Sequence, residues 1–78
     1  MISSLTGTVQ AVALNTAVID VNGFGMLVNA TPGTLSGLHQ GREATVFTSM
    51  VVREDSMTLF GFATAEERDV FEVLISVS

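Results

Sequence analysis

The stretch VVREDSMTLFGF, residues 51–62, decides the fold of this chain. Together with residues 44–50 it contains two runs rich in β-branched and aromatic residues, a composition typical of β-strands. The second run alternates, so Met57, Leu59 and Gly61 are predicted to share one face of a strand and the residues between them the other. The four residues between the runs, REDS, supply a charged turn. The whole stretch therefore predicts a β-hairpin.

The predicted hairpin tip carries two adjacent carboxylates, Glu54 and Asp55. Like charges placed side by side repel, and charged residues make up only 14% of this chain. A solvated turn is the simple explanation, because Asp followed by Ser is ordinary turn chemistry. The pair alone therefore does not distinguish a plain turn from a functional site.

Three further strands are predicted upstream, at residues 5–12, 17–21 and 26–30. Asn22 and Gly23 form a strong hairpin signal between the second and third strands, because both residues tolerate positive φ.

A short helix or 3₁₀ turn is predicted at residues 32–38, between the third and fourth strands. Thr31 would cap it, Pro32 would occupy its first position, and Gly37 or Gly41 would close it. Five strands with a short helix at this place predict an all-β fold, the five-stranded Greek-key barrel of the OB-fold.

A helix is also predicted after the barrel, within residues 64–78. Thr64 and Glu67 match a capping box, in which Thr64 caps the amide of residue 67 and Glu67 reaches back to the amide of Thr64. Its apolar stripe is expected to consist of Val70, Phe71, Leu74 and Ile75. No glycine cap follows and the stripe remains available, so we expect the chain to be cut inside or just after this linking helix.

Composition limits the class of protein. Seventy-eight residues permit one small domain, which is marginally stable unless it associates or belongs to a larger protein. The absence of cysteine rules out disulfides and thiolate metal sites. Neither a signal peptide nor an apolar run of about 20 residues is evident, so no membrane segment is expected. We expect a soluble, cytoplasmic protein.

The charge balance argues against a nucleic-acid grip by this chain itself. Three arginines and no lysine stand against eight acidic residues, giving a net charge of −5. DNA affinity comes largely from Lys and Arg that neutralise phosphates. If DNA is a partner, this segment is expected to shape it while another part of the protein grips it.

The sequence offers almost no catalytic chemistry. His39 has no partner in sequence and is expected at the surface near the end of the short helix. Asp20 is expected on an exposed strand face, and residues 22–25 form a turn, with Phe24 the phenylalanine least expected to be buried. The acids expected on the solvent side and at the start of the last helix are Glu66, Glu67, Asp69 and Glu72. No nucleotide-binding loop is present, so we predict no cofactor, no metal site and no enzyme activity.

Residues 51–62 resemble the most specific segment of the RuvA N-terminal domain family, a VVREDxxxLYGF-like phrase, with Phe60 where Tyr or Phe is usual. Gly7, the turn at residues 22–25 and the helix start at residues 65–71 also resemble the family pattern. The similarity extends over essentially the whole chain. Departures from the pattern occur at Thr6, Asn22 and Met26.

The resemblance implies a non-catalytic module that recognises four-way (Holliday) DNA junctions within the RuvAB branch-migration complex of recombination and repair. Glu54 and Asp55 would form its acidic pin, which repels phosphates near the centre of a homotetramer, or of an octamer. Arg53 would either contact a phosphate or pair with a neighbouring carboxylate. A divalent cation at the pin ranks well below the electrostatic role, because two side chains rarely make a dedicated site.

The resemblance also implies a domain plan and partners. Residues 1–63 would form the barrel and residues 64–78 the start of a linking helix. A helix-hairpin-helix domain that grips DNA would follow, and then a domain that binds the hexameric RuvB motor; the RuvC resolvase is a further expected partner. The alternative, favoured by the acidic composition, is a small β-barrel for protein–protein assembly that never meets DNA.

Overall fold

A computed structural model describes residues 2–77 as a β-barrel with one short helix and one C-terminal helix. The strands are β1 (Ser4–Val12), β2 (Thr16–Val21), β3 (Phe24–Asn29), β4 (Glu43–Val52) and β5 (Met57–Phe62). The helices are α1 (Pro32–Leu35) and α2 (Ala65–Ser76). Residues 1 and 78, the outer limits expected for the barrel and the linking helix, lie outside the described residues. The division of the chain at residue 64 stays a prediction.

The five strands close into a barrel in the order β1-β2-β3-β5-β4, with β4 pairing back to β1. Every pairing is antiparallel except that of β3 with β5, which meet in parallel only at Asn29 and Phe60. With α1 between β3 and β4, this topology confirms the predicted OB-fold.

The core lies inside the barrel and is built from alternate strand positions. Its most completely buried aliphatic side chains are Val9, Ile19, Val28 and Val46. Burial of such side chains is the main source of stability for a chain of this size. In β5 the predicted alternation holds for Leu59 and Gly61, which face the core, but Met57 is exposed because it lies beyond the barrel wall.

The β2–β3 turn has the conformation that its sequence predicts. Asn22 and Gly23 both adopt positive φ, 53° and 92°, as a two-residue hairpin turn requires. Asp20, expected on an exposed strand face, is half-buried, and its Oδ1 accepts a hydrogen bond of 2.8 Å from the Gly23 amide. Asp20 therefore helps to fix the turn. Phe24 follows the turn and is exposed, as expected.

Helix α1 begins as predicted and ends earlier. The Thr31 side chain accepts from the Thr34 amide, and Pro32 occupies the first helical position. The helix ends at Leu35 instead of residue 38, because the Gly37 amide bonds to the carbonyl three residues back and tightens the chain into a turn. Gly37 does not provide a left-handed cap; the positive φ, 86°, belongs to Gly41 just before β4.

The N-terminus of α2 forms only half of the predicted capping box. The Glu67 amide donates to Thr64 Oγ1 at 3.2 Å, as expected. The Glu67 carboxylate does not reach the Thr64 amide; it accepts a 3.2 Å bond from the Thr64 hydroxyl instead. Neither helix within residues 2–77 has the length and hydropathy needed to cross a membrane.

The packing of α2 differs from the prediction. Of the expected apolar stripe, only Phe71 packs on the barrel, with its ring 5.1 Å from both Phe60 and Phe62. Val70, Leu74 and Ile75 are exposed. Arg68 and Glu72 bond to the barrel, and the face that they set does not include Val70 and Leu74. Ile75 lies on the bonded face, one turn beyond Phe71.

Candidate functional site

The β4–β5 hairpin extends beyond the barrel as a two-stranded arm. β1 pairs with β4 only as far as Phe47, and β3 touches β5 only at Phe60. The pairs Val51–Thr58 and Val52–Met57 continue the β4–β5 ladder past these points. In the part of the chain that the structure describes, no third strand flanks these last pairs. We call residues 51–58 the hairpin arm.

The two predicted carboxylates lie at the apex of this arm. The Arg53 amide donates to the Ser56 carbonyl at 2.8 Å and closes the turn, which leaves Glu54 and Asp55 as its two central residues. All four residues are exposed. The turn places both carboxylates in water at the point of the hairpin farthest from the barrel wall.

The tip combines two acidic groups with one basic group. Within residues 2–77 the only ion pair joins Arg68 to Asp69, so neither tip carboxylate is paired to the Arg53 guanidinium in this structure. Among the same residues, no group of three or more His, Asp or Glu side chains could hold a metal ion. The arrangement offers fixed negative charge on a projecting arm and an unpaired guanidinium beside it.

The remaining candidate residues lie away from the tip. His39 is exposed in the turn after α1, where its carbonyl accepts from the Arg42 amide. Glu72 is exposed on α2, as expected, and it also accepts a 2.9 Å hydrogen bond from Ser49 Oγ on β4. The sequence did not predict this hydrogen bond, which forms because Ser49 is only 3% exposed and its hydroxyl requires a partner.

Sequence reasoning missed Arg68, which bonds α2 to the start of the chain. Its Nη1 donates to the Ser3 carbonyl at 2.8 Å, and its guanidinium lies 5.9 Å from the centre of the Phe47 ring. The signal available in the sequence was the spacing of Arg68, Phe71 and Glu72, which places them on one helix face. That spacing becomes informative only once Phe71 is known to pack on the barrel.

The sequence of this chain is similar to those of known proteins. Residues 1–61 match the family described as RuvA N terminal domain. Over all 78 residues the chain is 70% identical to the Holliday junction branch migration complex subunit RuvA of Pseudarthrobacter chlorophenolicus, of which it covers 37%. It is 65% identical to the same-named protein of Arthrobacter sp. and 60% identical to that of Renibacterium salmoninarum, covering 36% of each. The chain thus spans little more than a third of the length of these relatives, and it belongs to the RuvA N-terminal domain family.

Proposed function

We propose that this chain is the barrel module of a RuvA-type subunit and that it contributes to recognition of four-way DNA junctions without changing any bond. The observation that carries the proposal is the hairpin arm, which holds Glu54 and Asp55 exposed at its apex. It is supported by 70% identity to a protein named as a Holliday junction branch migration complex subunit. In this role Glu54 and Asp55 are the acidic pin.

Electrostatic repulsion gives the pin its effect. Two unit charges 4 Å apart interact by about 1 kcal/mol in bulk water and about 4 kcal/mol near a protein surface. Salt screens the effect beyond about 8–10 Å, so only phosphates close to the tip are repelled. A continuous duplex laid across the tip brings phosphates into this range, whereas the open centre of a four-way junction keeps them apart. The pin therefore favours the open junction by disfavouring its competitors.

The net charge indicates how the work is divided within the complete protein. A chain of net charge −5 has no basic face with which to neutralise phosphates. The gripping groups are accordingly assigned to the rest of the subunit, which the relatives' greater length provides. We further assign ATP-driven movement to a separate RuvB motor, resolution to a RuvC partner, and convergence of the pins to a homotetramer, or to an octamer of two such rings.

A binding competition tests the proposal. A chimera carries this chain in place of the matching segment of the P. chlorophenolicus RuvA protein, and it is offered a four-way junction and a linear duplex of equal length at fixed salt. The E54Q/D55N double variant should lower the junction-over-duplex preference about tenfold, the equivalent of about 1.4 kcal/mol. It should do so mainly by raising duplex affinity.

A matched control separates the effect of the pin carboxylates from the effect of the net charge of the chain. The E43Q/E66Q variant removes the same amount of negative charge at exposed positions outside the tip and should keep the parent preference. Equal preferences in the pin variant and in the parent would refute the proposal.

A second candidate function is assembly with another protein without DNA contact. The observation that favours it is the exposed aliphatic surface of α2, at Val70, Val73 and Leu74, on an acidic chain. The same competition decides between the two functions. A chimera that shows no junction preference even with its pin intact would favour assembly.

A further inference from the structure

Helix α2 presents an unexpected face to the barrel. Its hydrogen bonds and ring contacts with the barrel are made by Arg68, Phe71 and Glu72. Val70, Val73 and Leu74 are 59%, 63% and 67% exposed. At 3.6 residues per turn the centres of these two sets lie about 160° apart around the helix axis. The helix therefore packs through a mixed polar face and leaves its aliphatic ridge (Val70, Val73 and Leu74) largely exposed, at the side of a groove lined by Phe62.

Apolar burial alone does not explain this orientation, because the orientation partly buries Phe71 but leaves the three residues of the aliphatic ridge exposed. Rotating α2 about its axis would place the aliphatic ridge against the barrel, where burial of three aliphatic side chains favours packing, although it would remove Phe71 from Phe60 and Phe62. The observed orientation must therefore be held by the specific contacts of the polar face together with Phe71. These contacts are directional hydrogen bonds, which permit one rotation of the helix and not its neighbours.

Arg68 makes the most extensive of these contacts. Its side chain is 18% exposed, and its Nη1 bonds to the Ser3 carbonyl, which also accepts from the Thr48 amide on β4. Its Nε and Nη2 are held by Asp69 at 3.1 Å. A guanidinium can make these contacts together because its donors form a rigid planar fork, which an ammonium group lacks.

The second polar contact joins Glu72 to Ser49 at 2.9 Å. Ser49 pairs with Phe60 and Phe47 pairs with Phe62 in the β4–β5 ladder. The hydrogen bond and the ring contacts of α2 with the hairpin thus fall on two rungs of the same ladder, separated by the Thr48–Gly61 pair, and this hairpin ends in the arm. The helix and the pin are attached to one rigid ladder, only a few residues apart.

We infer that Arg68 and the Ser49–Glu72 bond form a latch that fixes the rotation and tilt of α2 on the pin hairpin. Arg68 is in this sense a positioning residue, since it touches neither pin nor DNA. The latch holds whatever follows α2 at one geometry relative to Glu54 and Asp55. This last step rests on the proposed function, whereas the latch itself does not.

A distance measurement tests the latch without DNA. The chain contains no cysteine, so A11C and S76C place two nitroxide labels uniquely, one on β1 and one at the end of α2. Double electron–electron resonance should give a narrow distribution of the distance between the two nitroxides in the parent. R68Q, S49A and their combination should broaden it and shift its maximum, because α2 becomes free to rotate toward burial of the aliphatic ridge.

The control for the distance measurement is R42Q, which removes an exposed guanidinium at the far end of β4 and should leave the distribution unchanged. Amide exchange at Ile19, in the core, verifies that the barrel remains folded in each variant. A double variant that keeps the parent distribution would overturn the latch.

Junction binding in the chimera tests the positioning role. The R68Q/S49A variant, with its pin intact, should lower the junction-over-duplex preference about fivefold. If the distribution broadens while this preference stays at the parent value, positioning is refuted and the proposed function is untouched. If neutralising the pin has no effect while the distribution still broadens, the proposed function fails and the latch stands.

Discussion

Gly7 on β1 lies against the backbone of β2 at Asp20, and only glycine fits there. A Cβ at this position would overlap the Asp20 carbonyl oxygen and would lie 2.9 Å from the carbonyl carbon and 3.1 Å from Ile19 Cγ2. The backbone of a closed barrel cannot yield without disturbing the neighbouring Thr8–Asp20 pair. We expect Gly7→Ala to lower the free energy of unfolding by about 3 kcal/mol, measured by urea denaturation.

The control for this prediction is Gly33→Ala in α1. The nearest atom to a Cβ there is Thr31 Oγ1 at 3.9 Å, an ordinary contact. Alanine should leave stability unchanged or raise it slightly, because it restricts the unfolded chain. Equal losses in the two variants would show that Gly7 is not constrained by the approach of β2.

Gly23 illustrates how far a single residue can be predicted from sequence. Nothing lies within 4 Å of a Cβ built there, so its constraint is the backbone, with φ at +92°. This requirement for positive φ is local, and the Asn-Gly dipeptide predicts it. The constraint on Gly7 comes from a strand that is 13 residues away in sequence at Asp20, and no local pattern carries it. Its place in the family pattern was the only available sign.

At the scale of the element, the strands were predictable and the faces of α2 were not. Strand β5 matches its predicted bounds, residues 57–62, because alternation and the two phenylalanines favour a strand locally. The rule that an apolar stripe faces the core failed for α2, where Arg68 and Glu72 bond to the barrel. Sequence periodicity measures apolar character, and it cannot register hydrogen bonds to Ser3 and Ser49.

The cap of α2 gives a prediction at the same scale. Thr64 Oγ1 accepts from the Glu67 amide, and the Thr64 carbonyl accepts from the Arg68 amide. Thr64→Ala removes the first of these bonds and should destabilise the helix by about 1 kcal/mol. Amide hydrogen exchange at Glu67 should accelerate about fivefold, because opening of the first turn becomes that much more frequent.

Thr64→Ser serves as the control for the cap, since it keeps the hydroxyl and should retain parent exchange rates. Acceleration by both substitutions alike would mean that the hydroxyl does not cap the helix. Glu67, which does not close the reciprocal half of the box, accepts only the exposed Thr64 hydroxyl. The helix start therefore depends on one cap bond rather than two.

At the scale of the molecule, the chain is elongated, and strand β4 has an arginine next to each of its ends. The principal extents are 39 × 24 × 21 Å. Strand β4 has ten residues, and at about 3.3 Å per residue it separates its ends by about 30 Å. Arg42 precedes this strand and Arg53 follows it. The exposed guanidinium of Arg53 thus lies beside the hairpin tip, and that of Arg42 lies at the opposite end of β4.

This separation allows the role of Arg53 to be decided. Its guanidinium is exposed and forms no ion pair among residues 2–77, and our hypothesis is that under the proposed function it contacts a DNA phosphate. Each phosphate contact contributes about −0.9 to the slope of log K against log salt concentration. Arg53→Gln in the chimera should make the slope for junction binding shallower by about that amount.

The comparison that makes this measurement decisive is Arg42→Gln, which removes the same charge about 30 Å away. Long-range attraction is largely screened beyond about 10 Å at 0.1 M salt, so this variant should keep the parent slope. A slope that Arg53→Gln leaves unchanged would assign Arg53 to carboxylate pairing in the assembled protein. If both variants change the salt slope equally, DNA binding depends on the net charge of the chain. The position of Arg53 beside the tip would then have no specific effect.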